Sequence, residues 1–213
     1  MDKIKGVIFD FGGVISRPQD RGYVDQIMDL LQVTDWERFM RVYMKLRSDY
    51  DGGLISGAEY WAAVTDRLGC ARGPGGELTG PDIRSWTVIN EDTLAFAADL
   101  RDHGIVTAVL SNMNLEVLHY LEANCPWIDE FDHLVYSCDL GMVKPQREIY
   151  DICVSRMGLK HAECLFLDDT EENVRAAEKY GLKARVFEGQ KTLNAIKQEF
   201  FCNIFAEKMT QEG

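Results

Sequence analysis

Five short apolar runs punctuate the chain: residues 6–11 (GVIFDF), 105–112 (IVTAVLSN), 133–139 (HLVYSCD), 163–169 (ECLFLDD) and 184–188 (ARVFE). They show little polar alternation, the pattern of strands covered on both faces. Helical periodicity fills the gaps between the later runs. MNLEVLHYLEAN follows the second. PQREIYDICVSRMG follows the third, with Ile149, Ile152, Cys153 and Met157 on one face and Pro145 at a favourable first helical position. TEENVRAAEKYG follows the fourth, with Thr170 placed to cap its start and Gly181 its end. Strand–helix alternation of this kind predicts an α/β fold with a mostly parallel sheet.

Residues 16–89 break the alternation, because they contain no convincing strand. Tyr23, Ile27, Leu30 and Leu31 mark one amphipathic helix, and Trp36, Phe39, Met40, Tyr43 and Leu46 a second. Tyr60, Trp61, Val64 and Leu68 mark a third, opened by Ser56 with Glu59 three residues on, a capping box. An all-helical insertion therefore separates the first strand from the rest of the sheet. It is expected over the carboxyl ends of the strands, where open α/β sheets bind ligands. Within it, GCARGPGGELTGP (69–81) follows no strand and is interrupted by Pro74, so it reads as a flexible loop and not as a phosphate cradle. The tail 192–209 places Leu193, Ile196, Phe200 and Ile204 on one helical face, widened by Phe201 and Phe205, and is expected to dock on the core.

The chain has 213 residues, enough for one sizeable core carrying an insertion. A net charge of −12 excludes the basic footprint of a nucleic-acid binder and a polybasic membrane anchor. No apolar run reaches the roughly 18 residues of a membrane span, and the opening MDKIKGVIFDFGGVI does not read as a signal peptide. A cytoplasmic protein, monomeric or weakly dimeric, is the expectation. The six cysteines form no C-x-x-C pair and no His stands at zinc-ligand spacing from them, so they read as reduced, mostly buried thiols. Any metal site must then be built from carboxylates.

The chemistry collects at the strand ends. The first run closes on Asp10, the second on Ser111 and Asn112, the fourth on Asp168 and Asp169, and Lys144 follows the third just ahead of a helix. A parallel sheet brings all of these to one edge. Each alone is a common turn or cap residue; their convergence carries the weight. Two like charges about 4 Å apart repel by roughly 4 kcal/mol at an effective dielectric of about 20, so three carboxylates need cations. Lys144 supplies one charge, and a hard divalent ion such as Mg²⁺ suits an all-oxygen ligand set completed by water and substrate phosphate. Gly12 and Gly13 let the backbone turn tightly after Asp10 and approach a ligand closely. A phosphoryl group would meet the metal, Lys144, the Ser111 hydroxyl and backbone amides, with one carboxylate free to attack.

At this point four motifs match a family in order and spacing: FDFGGVI (9–15), VLSN (109–112), GMVKPQREIY (141–150) and FLDDTEENVRAA (166–177). The chain resembles the haloacid dehalogenase-like hydrolase superfamily across essentially its whole length. The stretch GLISGAEYW (53–61) is similar to the cap of the branch whose helical cap lies between the first two motifs. The resemblance implies a Rossmann-like core from residues 1–15 and 90–213 and a small all-helical cap from residues 16–89. It also implies Mg²⁺-dependent phosphoryl transfer from a small phosphorylated metabolite through an aspartyl-phosphate. By the same resemblance Asp10 matches the nucleophile. Ser111 matches the hydroxyl that binds the phosphoryl group, with the Asn112 amide beside it, and Lys144 the charge-neutralising lysine. Asp169 matches the acidic metal ligand and Asp168 its neighbour, and the Gly12 carbonyl would be a further ligand.

One position departs from the family pattern. Its phosphatases usually carry a second Asp two residues after the nucleophile, the acid that protonates the leaving oxygen; here that position is Gly12. A general acid is typically worth about 10²–10⁴-fold. Three consequences are open: a substrate with a good leaving group, such as a sugar 1-phosphate, aryl phosphate or acyl phosphate; a carboxylate of the insertion, Asp20, Asp25, Asp49 or Asp51, serving instead; or a weak or silent protein that binds a metabolite or protein partner. Metal-free 2-haloacid dehalogenation also lacks that Asp, but the acidic pair Asp168–Asp169 disfavours it. A phosphorelay receiver would carry its acidic pair after the first strand, which this chain does not. Arg17, Arg47 and Tyr50 are candidate substrate contacts of the insertion.

Overall fold

A computed structural model describes residues 3–70 and 75–202. One parallel sheet contains β1 (Gly6–Phe9), β2 (Val106–Ser111), β3 (His133–Tyr136), β4 (Cys164–Asp168) and β5 (Lys183–Val186). Between β1 and β2 lie α1 (Arg21–Leu30), α2 (Trp36–Lys45), α3 (Arg47–Asp51), α4 (Gly57–Leu68), α5 (Gly75–Trp86) and α6 (Glu91–Asp102). α7 (Leu115–Asn124) joins β2 to β3. α8 (Ser137–Leu140) and α9 (Arg147–Arg156) join β3 to β4. α10 (Glu171–Lys179) joins β4 to β5, and α11 (Gln190–Phe200) follows. The strand order is β3-β2-β1-β4-β5, so the winding reverses at β1 and opens a crevice beyond its carboxyl end. The fold is α/β and Rossmann-like.

Burial on both faces explains the unbroken apolar strands. Val7 and Phe9 point to one side with Val109, Leu165 and Leu167, under Phe96 of α6, Leu121 of α7 and Ile196 of α11. Ile8 points to the other with Ala108, Leu110 and Phe166, under Tyr150 and Cys153 of α9 and Ala177 of α10. The tail helix therefore docks on the core, with Leu193, Ile196 and Phe201 buried; residues 203–209 of the expected helix lie outside the described residues. Cys70, Cys125, Cys138, Cys153 and Cys164 form no disulfide, and of the six cysteines Cys153 and Cys164 are buried, fewer than expected. No described helix is long and apolar enough to cross a membrane.

The helices between β1 and β2 bury a cluster of their own, with Ile27, Phe39, Tyr43, Tyr60, Trp61 and Leu78 at its centre. The chain leaves the sheet and returns to it through one paired crossing. There Arg17 N donates to Val88 O at 2.7 Å and Asn90 N to Ile15 O at 2.9 Å. The capping box opens α4 as expected. At the heart of the cluster Arg47 is buried against both oxygens of Asp82, at 3.1 and 3.0 Å, and against Asp51 at 3.1 Å. Its guanidinium also lies 5.2 Å from the rings of Tyr43 and Tyr50.

Several sequence expectations are corrected. β1 ends at Phe9, two residues early, because the Asp10 carboxylate accepts from Phe11 N and turns the chain. The third run stops at Tyr136, and Ser137–Leu140 forms a helical turn closed by Gly141 at φ 67°. Pro145 is not the first residue of α9. It stands in a turn closed by Gln146 N donating to Val143 O, and the helix starts at Arg147. Leu30 is exposed, and Val24, Ile27 and Met28 form the buried stripe of α1 instead. The expected flexible loop 69–81 becomes α5 from Gly75 on, with Pro81 inside it. Its buried face carries Leu78, Asp82 and Ser85. Two polar residues on the core side broke the hydrophobic period that would have revealed the helix.

Asp82→Ala is expected to cost about 3–5 kcal/mol in urea denaturation, because it leaves a buried guanidinium half-paired. Asp25→Ala, which breaks the exposed pair with Arg21, is expected to change stability by less than about 0.5 kcal/mol. Similar effects for the two variants would contradict this reading of the Arg47 cluster.

Candidate active site

The register of the sheet builds the site. Phe9 pairs with Val109 of β2 and Leu167 of β4, and Asp10 N continues the ladder by donating to Leu167 O at 2.8 Å. Asp10, Ser111 and Asp168 thus emerge side by side from neighbouring strands. Lys144 arrives from the β3–α9 connection and is buried. Its Nζ lies 2.7 Å from Asp10 Oδ1 and 2.7 Å from Asp168 Oδ2.

Each partner is itself held. Lys144 N donates to Asn112 Oδ1 at 2.8 Å, and Asn112 Nδ2 donates back to Lys144 O at 3.1 Å. This reciprocal clamp fixes the lysine loop to the end of β2. Asp168 is fully buried and spends both oxygens: Oδ1 accepts from Thr170 N at 2.8 Å, and Asn173 Nδ2 reaches Oδ1 and Oδ2 at 3.1 Å. Asp10 differs. Lys144 and Phe11 N both fall on Oδ1, so among the described residues no hydrogen bond reaches Oδ2.

Asp10, Asp168 and Asp169 each offer a carboxylate oxygen within 4.8 Å of the others, and Asp169 is the exposed one. Three carboxylates face one ammonium. Burial pushes the Asp10 carboxyl up to about 8; Lys144 opposes the rise while Asp168 and Asp169 add to it. Burial also raises Asp169, helped by Asp168. Burial acts to lower the Lys144 ammonium, but Asp10 and Asp168 hold it above its usual value. The missing positive charge is what a hard divalent cation supplies. Gly13 leaves space for this arrangement: at φ 74°, a Cβ there would collide with the Asp169 carboxylate. The residues present therefore fit a magnesium-type ion.

A cavity of about 400 Å³ opens over this cluster. Asp10, Gly12, Ser111, Asn112, Lys144 and Asp169 line it from the strand ends. Ser111 is buried, and among the described residues its hydroxyl makes one hydrogen bond, a long one of 3.4 Å to Asn112 O. From the helical side come Met44, Arg47, Asp51 and Trp86. Of the four carboxylates considered as a substitute acid, Asp51 alone lines the cavity. Asp20 caps α1, Asp25 pairs with Arg21 in solvent, and Asp49 is exposed. Burial raises Asp51 against the pull of Arg47, and its bonds from Arg47 and from Asn114 Nδ2 at 3.1 Å are all accepted. Arg17 is exposed and lies outside the cavity lining, and Tyr50 is buried in a stack on Tyr60 with ring centres 4.4 Å apart.

Sequence reasoning missed Met44, Trp86, Asn114 and Asn173. Asn173 stands inside the fourth motif, three residues after Thr170, where the first turn of α10 aims it at Asp168. Trp86 closes α5, whose residues up to Pro81 fall in the stretch expected as loop, and 82–86 carried no helical signal. Met44 and Asn114 gave no signal beyond their helices.

Known proteins resemble this chain in sequence and in fold. The profile of haloacid dehalogenase-like hydrolases matches residues 4–181. The sesquiterpene phosphatase astK of Aspergillus oryzae is 28% identical over 187 residues, covering 84% of this chain and 87% of that protein. The D-ribitol-5-phosphate phosphatase of Bacteroides thetaiotaomicron is 28% identical over 193 residues, covering 84% and 90%. A crystal structure of an enzyme of the same family from that bacterium superposes with a TM-score of 0.75 at 22% identity, covering 91% of this chain and 99% of that one. That enzyme is also known in complex with magnesium and inorganic phosphate, at a TM-score of 0.71.

A raised carboxyl means that the folded chain keeps a proton the unfolded chain releases. Its stability is present below the unfolded value of 3.8 and is lost as pH rises toward about 8. In EDTA, Asp10→Asn is therefore expected to melt above wild type at about pH 8, with the gap narrowing toward about pH 5. A melting difference independent of pH would contradict the raised carboxyl of Asp10.

Proposed function

The chain belongs to the haloacid dehalogenase-like hydrolases, and on that premise we propose that it is a magnesium-dependent phosphatase of a small phosphorylated metabolite, working through an aspartyl-phosphate on Asp10. The observation that carries this reading is Lys144 locked between Asp10 and Asp168 beside the exposed Asp169. Two relatives that span most of the chain are phosphatases by name, which supports the same reaction class. In this reading residues 16–89 act as a cap over the core.

Asp10 Oδ2 attacks phosphorus in line with the departing oxygen. The new bond joins Asp10 to the phosphoryl group, and the bond to the leaving oxygen breaks. Water then attacks the acyl phosphate, frees inorganic phosphate and returns the carboxylate. Lys144 balances charge on Asp10 and the phosphoryl oxygens. The Ser111 hydroxyl donates to a phosphoryl oxygen, beside the Asn112 amide. Asp10 and Asp169, with the Gly12 carbonyl, would hold Mg²⁺, which supplies Lewis-acid polarisation of the phosphoryl group when bound. Asp168 serves Lys144 in this scheme, because its oxygens are already engaged by Lys144, Thr170 and Asn173.

Leaving-group protonation is the weak step. Gly12 has no acid, and Asp51 is occupied as an acceptor. Substrates whose oxygen departs readily as an anion, such as aryl, acyl or sugar 1-phosphates, are therefore favoured. With Mg²⁺, p-nitrophenyl phosphate is expected to be cleaved and a simple alkyl phosphate scarcely so. EDTA or Asp10→Asn is expected to abolish cleavage. Failure of every aryl and acyl phosphate would overturn the phosphatase reading in favour of a silent binding protein.

Position 12 permits a gain-of-function test. Its backbone, at φ −65° and ψ 127°, suits any L-residue, and a Cβ would lie 3.5 Å from the Trp86 ring, at ordinary van der Waals distance. Gly12→Asp is expected to raise alkyl phosphate hydrolysis by at least about 10²-fold, the lower end of general-acid catalysis, and aryl phosphate hydrolysis far less. Equal gains on both esters would rule out the missing acid as the cause.

A further inference from the structure

The cavity reads the rest of the substrate as well as its phosphate. Among its described lining residues the cations are Lys144 and Arg47. Lys144 is committed to the phosphoryl end. Arg47 is buried and matched twice: both Asp82 oxygens lie at 3.1 and 3.0 Å, Asp51 lies at 3.1 Å, and the Tyr43 hydroxyl accepts a further bond at 2.9 Å. Asp51 meanwhile lines the cavity. A second acidic group on the substrate would enter a wall bearing a carboxylate and no uncommitted counter-charge.

The same wall has an apolar side. Trp86 stands over Gly12, with ring atoms 3.5 and 3.6 Å from where a Cβ would project. Its indole N–H is spent on the Tyr43 hydroxyl at 3.1 Å, and Arg47 lies 5.6 Å from the ring centre, so what Trp86 offers to the cavity is carbon. Met44 lines the cavity with 48% of its surface exposed. An unbranched thioether adapts to varied apolar shapes.

We infer that the group carrying the phosphate is uncharged and apolar, and that Trp86 and Met44 receive it while the Asp51–Arg47–Asp82 cluster rejects a second anion. This inference rests on the phosphatase reading and narrows it. Specificity then has both an attractive and a repulsive element.

The test uses phenyl phosphate, its para-butyl derivative and its para-carboxylate derivative with the full chain and Mg²⁺. The para-carboxylate phenolate is the least basic of the three, so leaving-group strength alone would speed that ester, and a slower turnover of it reports the tail. The expected kcat/KM for the para-butyl ester is at least that of phenyl phosphate. The para-carboxylate ester is expected to fall by about tenfold or more, as like-charge juxtaposition at a binding surface requires. Met44→Ser is expected to shrink the butyl-to-phenyl ratio, and Asp51→Asn to shrink the carboxylate penalty. Equal or faster turnover of the para-carboxylate ester by wild type overturns the inference and leaves the phosphatase reading standing. Absence of Mg²⁺-dependent turnover of these three esters and of every other aryl and acyl phosphate, p-nitrophenyl phosphate included, defeats that reading, and the inference falls with it.

Discussion

The bridge from Lys144 Nζ to Asp10 and Asp168, at 2.7 Å on each side, is the constraint around which the site is arranged. An ammonium buried this deeply costs several kcal/mol unless its charge is met and its donors are used. Meeting it requires β1 and β4 to be adjacent and in register, so that residues at their ends flank one point. It also requires the β3–α9 connection to deliver a backbone position accurately, and the reciprocal Asn112 clamp does this. Asn173 and Thr170 then hold Asp168 so that it cannot turn away. The site is thus specified through strand order, one loop clamp and one helix start, none of which contains Asp10.

A second buried cation mirrors the first across the cavity. Arg47 is also shared by two carboxylates, Asp51 and Asp82, and is wrapped in aromatic rings. Asp51 connects this cluster to the sheet side. Its carboxylate accepts from Asn114, and its carbonyl accepts from Ser137, whose hydroxyl also receives Met113 N at 2.8 Å. Gly57 N adds a bond to Glu116 at 3.0 Å. The helical segment is therefore tied to the loops after β2 and β3 by polar contacts, while its apolar residues form a core of their own. Polar ties of this kind exchange with water more readily than a packed apolar interface, which suits a wall that must admit a substrate.

Sequence legibility followed this division. The strands were readable because burial on both faces makes them uniformly apolar; their exact ends were not, because Asp10 turns the chain after Phe9 and Ser137–Leu140 coils into a helical turn. Asp10, Ser111, Asn112, Lys144 and Asp168 were readable because a parallel sheet maps strand ends onto one edge. The second layer was not. Asn112 was noticed for its amide, yet its side chain clamps Lys144, a role that depends on two loops meeting. Asp82 sits on the buried side of α5 because Arg47, 35 residues earlier, needs a partner there, and Ser85 because its hydroxyl accepts from Gln19 Nε2 at 3.1 Å; two such polar residues erase the hydrophobic period that reveals a helix. Trp86 was lost with that helix. Residues whose purpose is set by a partner distant in sequence carry no local signal.

The two cation clusters differ in what they leave over, and that difference orders the chemistry proposed for this protein. At Lys144 a third carboxylate, Asp169, stays exposed, and the surplus negative charge draws a divalent cation. With that cation added, the site gains the positive charge that a phosphate dianion requires. At Arg47 the two carboxylates more than absorb the guanidinium, and nothing positive remains to hold an anion. One end of the cavity therefore attracts a phosphate once metal is present, and the other repels any further acid while offering the indole of Trp86 and the thioether of Met44. Gly12 lies between them, where the usual acid is missing and the indole comes closest. Without a proton donor at that point, the leaving oxygen must be stabilised by its own substituent. An aromatic or otherwise delocalised group does this and also packs against Trp86. A single physical property of the substrate would then answer both the missing acid and the apolar wall.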